Sequence, residues 1–355
     1  MSKIRVMHVL ASESYSGAEH VAITIINHTR EMADSVYVSP DGSIHDILLK
    51  QKIPHYRIKK ICIRELSRAV NKIQPDLIHA HDFRAGLFCS MLKTKVPLIS
   101  HLHNNAPWLR RFGLYSAAYG ISCMRYYKIL TVSDCVMNDF IFGTYLRHKS
   151  AVIQNPIDTR QIIQKSRQKP DSENDYSLAF LGRLSEPKNP IAFVEITARV
   201  YKKRPRVKAV MIGDGELSGR VQERVRYLGL EDVITMTGFL ENPYRILKHA
   251  KILCMPSKWE GFGLAAVEAM ALGKPVICSG AGGLKEIVSE ECGKICLHGN
   301  EYVKEICRLI SDENYYADKS KHARLRAEKL DNRSQYIENI KRIYGKAVKK
   351  YENTV

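Results

Sequence analysis

Met255-Pro-Ser-Lys-Trp-Glu-Gly-Phe-Gly-Leu-Ala-Ala-Val-Glu-Ala-Met-Ala-Leu-Gly-Lys-Pro-Val276 is the stretch on which the reading of this 355-residue chain turns. An apolar strand ends at Met255, a glycine-containing loop follows, and the run from Leu264 to Leu272 predicts a helix. Gly273 suits the position just past a helix C-terminus, and Pro275 closes the element. The loop therefore delivers Gly261, Phe262 and Gly263 to a helix N-terminus. There, unpaired N–H groups and the helix dipole favour phosphate or sugar oxygens. Glu260 lies in the loop and Glu268 just over a turn inside the helix. Two carboxylates so placed can each grip a pair of sugar hydroxyls by accepting two hydrogen bonds.

Working outward from this stretch, strands are predicted at Leu178–Leu181, Val207–Ile212, Val233–Met236, Ile252–Met255 and Pro275–Cys278, with helices between them. The first half alternates in the same way. Ile4–Val9 is a β run, followed by a turn at Ser12–Gly17 and an apolar-periodic helix over about Ala18–Met32. Further strands are predicted at Leu77–Ala80, Pro97–His101, Ile129–Val132 and Ala151–Ile153. Such alternation argues for parallel sheets covered on both faces. Gln164 to Tyr176 is polar, contains Pro170 and lacks apolar periodicity, so it reads as an interdomain linker. The expected organisation is α/β: two doubly wound, Rossmann-like domains facing each other across a cleft, over residues 1–165 and 171–335. After about Glu301 the chain reads as helix, with the last segment, about 336–355, packing back on the first domain.

Composition excludes several classes. Apolar residues make up 45% of the chain and charged residues 26%, an ordinary globular balance. No stretch approaches the roughly 18 uninterrupted apolar residues that span a bilayer. The start enters a short strand pattern with no signal-peptide core, which gives a cytoplasmic expectation. Cys254 and Cys278 sit in apolar runs and read as buried thiols. Cys292 and Cys296 match no zinc or redox spacing, and no metal site is read from the sequence. The net charge is +18, and residues 1–170 carry 24 Lys/Arg against 12 Asp/Glu. A basic first half attracts anionic membrane, nucleic acid or phosphorylated ligands, and alone does not choose among them.

The whole Met255–Val276 string resembles the signature of the retaining glycosyltransferases of family 4, which have the GT-B fold of two Rossmann-like domains. Phe180-Leu-Gly-Arg-Leu-Ser-Glu-Pro-Lys-Asn189 is similar to that family's strand-end pair, here Arg183 and Lys188. Asn155-Pro-Ile-Asp158 is similar to its hinge motif. Ile212-Gly-Asp-Gly-Glu-Leu217, Thr237-Gly-Phe-Leu240 and Gly282-Gly-Leu-Lys-Glu-Ile-Val288 follow in the family's order. In the first half, Ser16-Gly-Ala-Glu19 is similar to the glycine-rich first turn, although Ser16 stands where many relatives have a second glycine. His79-Ala-His81 and Ser100-His-Leu-His-Asn104 are similar to strand-end histidine motifs of bacterial polysaccharide members. Gly213-Asp-Gly215 does not extend to a dinucleotide fingerprint, because Gly219 comes one residue too late.

The resemblance implies a role for each residue. Arg183 and Lys188 would bind the diphosphate of a nucleotide-sugar donor, a guanidinium fork beside a flexible point charge. Glu268 would hold the ribose hydroxyls; Glu260 and the backbone of Gly261, Phe262, Gly263 and Leu264 would hold the transferred sugar. Gly17 would let the backbone approach the phosphates, and His103 would orient the sugar. His101 is its competitor, on the reading that it takes the alternate strand phase. His79 and His81 read as structural. The resemblance further implies a metal-independent hexosyl transfer with retention, from a UDP-linked donor, without a separate cofactor. The acceptor would be a glycan or lipid-linked, in bacterial surface polysaccharide synthesis at the inner face of the plasma membrane, with peripheral contact to anionic lipid. Two rivals keep the fold: a nucleotide-sugar epimerase and a non-catalytic partner subunit. A nucleic-acid binder explains the charge but not the glycine-rich constellation.

Overall fold

The computed structural model describes residues 3–169 and 174–352. It divides into two compact units, residues 1–156 with 332–355, and residues 157–331. Each carries its own parallel sheet.

In the first unit the strands are β1 (Ile4–Val9), β2 (Ala33–Pro40), β3 (His55–Ile58), β4 (Leu77–His81), β5 (Leu98–Leu102), β6 (Lys128–Thr131) and β7 (Ser150–Val152). Their order is β3-β2-β1-β4-β5-β6-β7, parallel throughout. The chain starts in the middle, winds outward to β3, then returns to lay β4 beside β1. That reversal is a topological switch point, where open α/β sheets bind ligands beyond the strands' carboxyl ends. All five residues of β4 and of β5 are buried, as strands covered on both faces require. The helix Arg333–Glu352 belongs to this unit, burying Tyr336, Ile337, Ile340, Tyr344 and Ala347 at helical spacing.

The second unit repeats the plan with β8 (Tyr176–Leu181), β9 (Ala209–Ile212), β10 (Ile234–Gly238), β11 (Ala250–Met255), β12 (Val276–Cys278) and β13 (Gly293–Ile295). The order is β10-β9-β8-β11-β12-β13, so its switch point falls between β8 and β11. Leu178, Phe180 and Met211 pack with Phe193 and Val200 of the helix Pro190–Lys203 and Ile306 of the helix Gly299–Ser311. Gly213 follows β9 at φ +136°, and a Cβ there would stand 2.0 Å from the Gly182 carbonyl oxygen. Only glycine lets these two strand ends close up.

The reading of Gln164–Tyr176 as linker needs correction. The chain leaves the first unit between Pro156 and Ile157, and Gln164 to Ser166 end the helix Thr159–Ser166 of the second unit. Asp158 caps that helix by accepting from the Gln161 N–H at 2.9 Å. Thr159 donates backbone N–H and hydroxyl to Asp331 at 3.0 and 2.6 Å. Asn242 donates to the Lys165 carbonyl at 3.0 Å. A solvated helix of eight residues buries too few side chains to announce itself by periodicity. Residues 170–173 of the expected linker, and 353–355 of the last helix, lie outside the described residues.

Candidate functional site

The loops that follow β8 and β11 are sewn together across the second unit's switch point. The Lys258 N–H donates to the Pro187 carbonyl at 2.8 Å, and Asn189 Nδ2 donates to the Pro256 carbonyl at 3.1 Å. Asn189 makes this contact from a left-handed conformation, φ +52°, which asparagine tolerates better than most residues. Between these ties Lys188 Nζ meets Glu260 Oε2 at 2.5 Å, with side chains 25% and 11% exposed. The Glu260 carbonyl accepts the Gly283 N–H at 3.1 Å, which holds the loop from behind.

Gly261 and Phe262 are buried, and Gly263 opens the helix Leu264–Ala271 at φ +106°, with Leu284 2.7 Å from where a Cβ would stand. No side chain caps that helix start, so its first N–H groups remain available to a ligand. Glu268 accepts a hydrogen bond from the Tyr244 hydroxyl at 2.9 Å. Burial pushes its carboxyl above the ordinary range, while Tyr244 and the nearby charges of Lys188 and Lys165 pull it back. Two carboxylates and an ammonium thus converge beside an uncapped helix start. Arg183 does not join that contact: its Nε pairs with Glu216 Oε2 at 3.2 Å, both side chains about half exposed. Neither Glu216 nor Tyr244 carries a sequence signal for these roles, since each partner lies far away in the chain.

Gly17 and His103 belong to the first unit. Gly17 is exposed and begins the helix Gly17–Thr29. His103 follows β5; its N–H donates to Asp82 Oδ1 at 2.9 Å and its Nε2 lies 2.9 Å from His81 Nδ1. Burial lowers its pKa to about 3, so it offers a neutral imidazole at pH 7. The alternate-phase expectation for His101 fails. Residues two apart on a strand share a face, and the two rings lie 4.1 Å apart between centroids. His101 is fully buried, whereas His103 is only half-buried.

Glu19, two residues past Gly17, is buried and accepts from the Ser16 hydroxyl at 2.5 Å. Burial raises its pKa to about 7, with a smaller push from Asp82 and partial offset by the Ser16 hydroxyl. A raised carboxyl pKa supports the fold fully below the ordinary value of 4.5, and that support is lost as pH rises through about 7. At about 1.4 kcal/mol per pH unit the loss reaches about 3 kcal/mol. Glu19→Gln should therefore gain up to that amount over wild type between pH 5 and pH 8 in chemical denaturation. The buried histidines titrate alike in both proteins and cancel from the difference. An equal pH slope in both would remove Glu19 as its source.

Residues 162–326 match the family model for glycosyl transferases group 1, and residues 15–161 match that for glycosyltransferase family 4. The fold is that of Anabaena HepE, solved in complex with UDP and glucose, at TM-score 0.80 and 22% identity over 96% of this chain and 98% of that one. The chain has the GT-B fold, and two glycosyltransferase family models together match it from residue 15 to residue 326. The chain is 26% identical over 233 residues to an uncharacterized glycosyltransferase of Methanocaldococcus jannaschii, across 60% of this chain and 57% of that protein. A second uncharacterized glycosyltransferase of that archaeon is 27% identical, across 63% and 62%. The chain thus spans about three fifths of the length of these two relatives. It aligns over 97% of both chains, at 22% identity, with the Escherichia coli UDP-Gal:alpha-D-GlcNAc-diphosphoundecaprenol alpha-1,3-galactosyltransferase.

Proposed function

We propose that this transferase moves a hexosyl residue from a UDP-linked sugar to a lipid-linked glycan acceptor, with retention and without a metal, in bacterial surface polysaccharide synthesis. The observation that carries the reading is the Lys188–Glu260 contact beside the uncapped Leu264–Ala271 helix, at the carboxyl ends of β8 and β11. That is where a doubly wound sheet receives a nucleotide. HepE's bound UDP and glucose, and the E. coli relative's diphosphoundecaprenol acceptor, support donor and acceptor respectively.

In this reading the donor diphosphate lies against Arg183 and Lys188, whose charges stabilise it as the glycosidic bond breaks. Lys188 exchanges one oxyanion partner for another when the donor enters, and Glu260 turns to the hydroxyls of the transferred sugar. The backbone from Gly261 to Leu264 lines that sugar. Glu268, already oriented by Tyr244, accepts from the ribose hydroxyls. Gly17 and His103 of the first unit keep the roles the resemblance implies for them, toward phosphate and sugar respectively. A departing phosphate oxygen takes the proton of the acceptor hydroxyl attacking from the same face, so the protein need supply no nucleophile. Thermal-shift measurement against a panel of nucleotide sugars tests the donor half. One UDP-sugar should raise the melting temperature by mass action, and no shift with any member would overturn it.

A lipid-linked acceptor brings the enzyme to the cytoplasmic leaflet. Among the described residues no helix is long and apolar enough to cross a membrane. The first unit does expose a run of apolar side chains: Phe112 is 75% exposed, Leu114 83% and Met124 78%, around the helix Leu114–Ser122. Trp108 is not part of it, since its ring packs on Phe83 at 4.5 Å between centroids. Arg110, Arg111 and Lys149 flank the apolar run. Charge complementarity points to an anionic lipid surface, where each basic residue contributes about 1 kcal/mol. Vesicle co-sedimentation should require anionic lipid, fall steeply with salt, and weaken roughly tenfold or more in Arg110→Glu, Arg111→Glu, the scale of two lost or reversed charges. Equal binding to neutral vesicles, or indifference to the double change, would contradict it.

A further inference from the structure

Histidines crowd the centre of the first unit's sheet. His8 of β1 and His79 and His81 of β4 are all buried, and the strand register sets His8 directly beside His79. Their ring centroids are 5.3 Å apart for His8 and His79, 4.2 Å for His79 and His81, and 5.5 Å for His8 and His81. One ring nitrogen from each lies within 4.8 Å of one from each of the other two.

A neutral imidazole has one N–H and one lone pair, so the hydrogen bonds limit the tautomers. His79 Nδ1 lies 2.7 Å from the Tyr344 hydroxyl, and His81 Nδ1 lies 2.9 Å from His103 Nε2. If both Nδ1 atoms donate outward, both Nε2 atoms carry lone pairs. His81 Nε2 is then 3.2 Å from His8 Nδ1, and His79 Nε2 is buried with no partner. His8 Nε2 is also buried with no partner, and it then carries the ring's N–H, since the lone pair that faces the other two rings is on Nδ1. Native interiors rarely leave such atoms unsatisfied, and an ion is one of the few things that satisfies several lone pairs at once.

We infer that His8, His79 and His81 form a three-imidazole site for a first-row transition-metal ion of the zinc type. Zinc binds imidazole nitrogen at roughly 2.0–2.1 Å, which sets ligand nitrogens about as far apart as His8 Nδ1 and His81 Nε2 already are. The outward nitrogens of His79 and His81 are engaged by Tyr344 and His103, the pattern by which a second layer of hydrogen bonds fixes metal-binding tautomers. Burial also keeps the three rings unprotonated at neutral pH, which leaves their lone pairs free. The ion joins β1, β4 and, through Tyr344, the helix Arg333–Glu352, so its role is to fasten this unit. The proposal does not use the Lys188–Glu260 contact of the other unit, and it meets the donor reading only at His103, which engages His81.

Cobalt(II) is the direct probe, since its visible absorption reports nitrogen coordination without any activity readout. The chelator-treated full chain should take up one equivalent of Co²⁺ with a low-coordinate visible spectrum, displaced by Zn²⁺, and Zn²⁺ should raise its melting temperature. His79→Gln should abolish the spectrum, and the exposed-site control His148→Gln should retain it. Tyr344→Phe keeps the ring that packs the helix and should weaken affinity roughly 10- to 100-fold, the scale of lost outer-layer partners. Should His79→Gln fail to fold, the wild-type spectrum and Tyr344→Phe still decide. No stoichiometric Co²⁺ spectrum in wild type, or affinity unchanged in Tyr344→Phe, would overturn the site.

Discussion

Lys188→Ala or Arg183→Ala should each lower turnover by roughly 10²-fold or more at saturating donor, the scale of removing one preorganised partner of developing charge. The two variants should differ in what else they disturb. Arg183 pairs with Glu216 at an exposed position, and such pairs contribute little to stability. Its removal should leave the denaturation midpoint unchanged. Lys188 is the counter-ion of Glu260, a mostly buried carboxylate in the loop after β11. Its loss should also weaken selection of the donor sugar, because Glu260 loses the partner that positions it. Wild-type turnover in either variant would remove that residue from the mechanism.

Glu268→Ala should weaken binding of the nucleoside diphosphate by about 1.5–3 kcal/mol, roughly 10- to 150-fold, the range for hydrogen bonds to a charged group. The loss should appear with UDP alone, because the proposed partner is ribose and not the sugar. Tyr244→Phe removes the hydroxyl that orients Glu268 and should cost less, about 1 kcal/mol, the net worth of one hydrogen bond. Calorimetry separates the two effects. Undiminished UDP affinity in Glu268→Ala would make Glu268 a partner of Tyr244 and nothing more.

The elements legible in the sequence are those whose cause is local. β1 and the helix after Gly263 announce themselves by apolar runs and by glycine, and both lie where the sequence puts them. β2 was not anticipated because Asp34, Ser35 and Ser39 interrupt its pattern; β3 and β13 were not because four and three residues show no periodicity. The Gln164–Ser166 helix end reads as linker in the sequence because a solvated surface helix and a tether share a composition. Long-range chemistry was less accessible. Lys188 and Glu260 are 72 positions apart, and no spacing rule joins them; the family resemblance put both at one donor, while their contact emerges only from the ties between two loops. The histidines show this most sharply. His8 is 71 residues from His79, and only the register of parallel strands brings them side by side.

The most direct measurement follows a labelled hexose from UDP-sugar into lipid, using the transferase with bacterial membrane extract and nuclear magnetic resonance of the product linkage. Label should leave with the lipid fraction, UDP should accumulate in equal amount, and the new linkage should keep the donor's anomeric configuration. Label recovered as free epimerised nucleotide sugar, or donor bound but never consumed, would contradict sugar transfer by this chain.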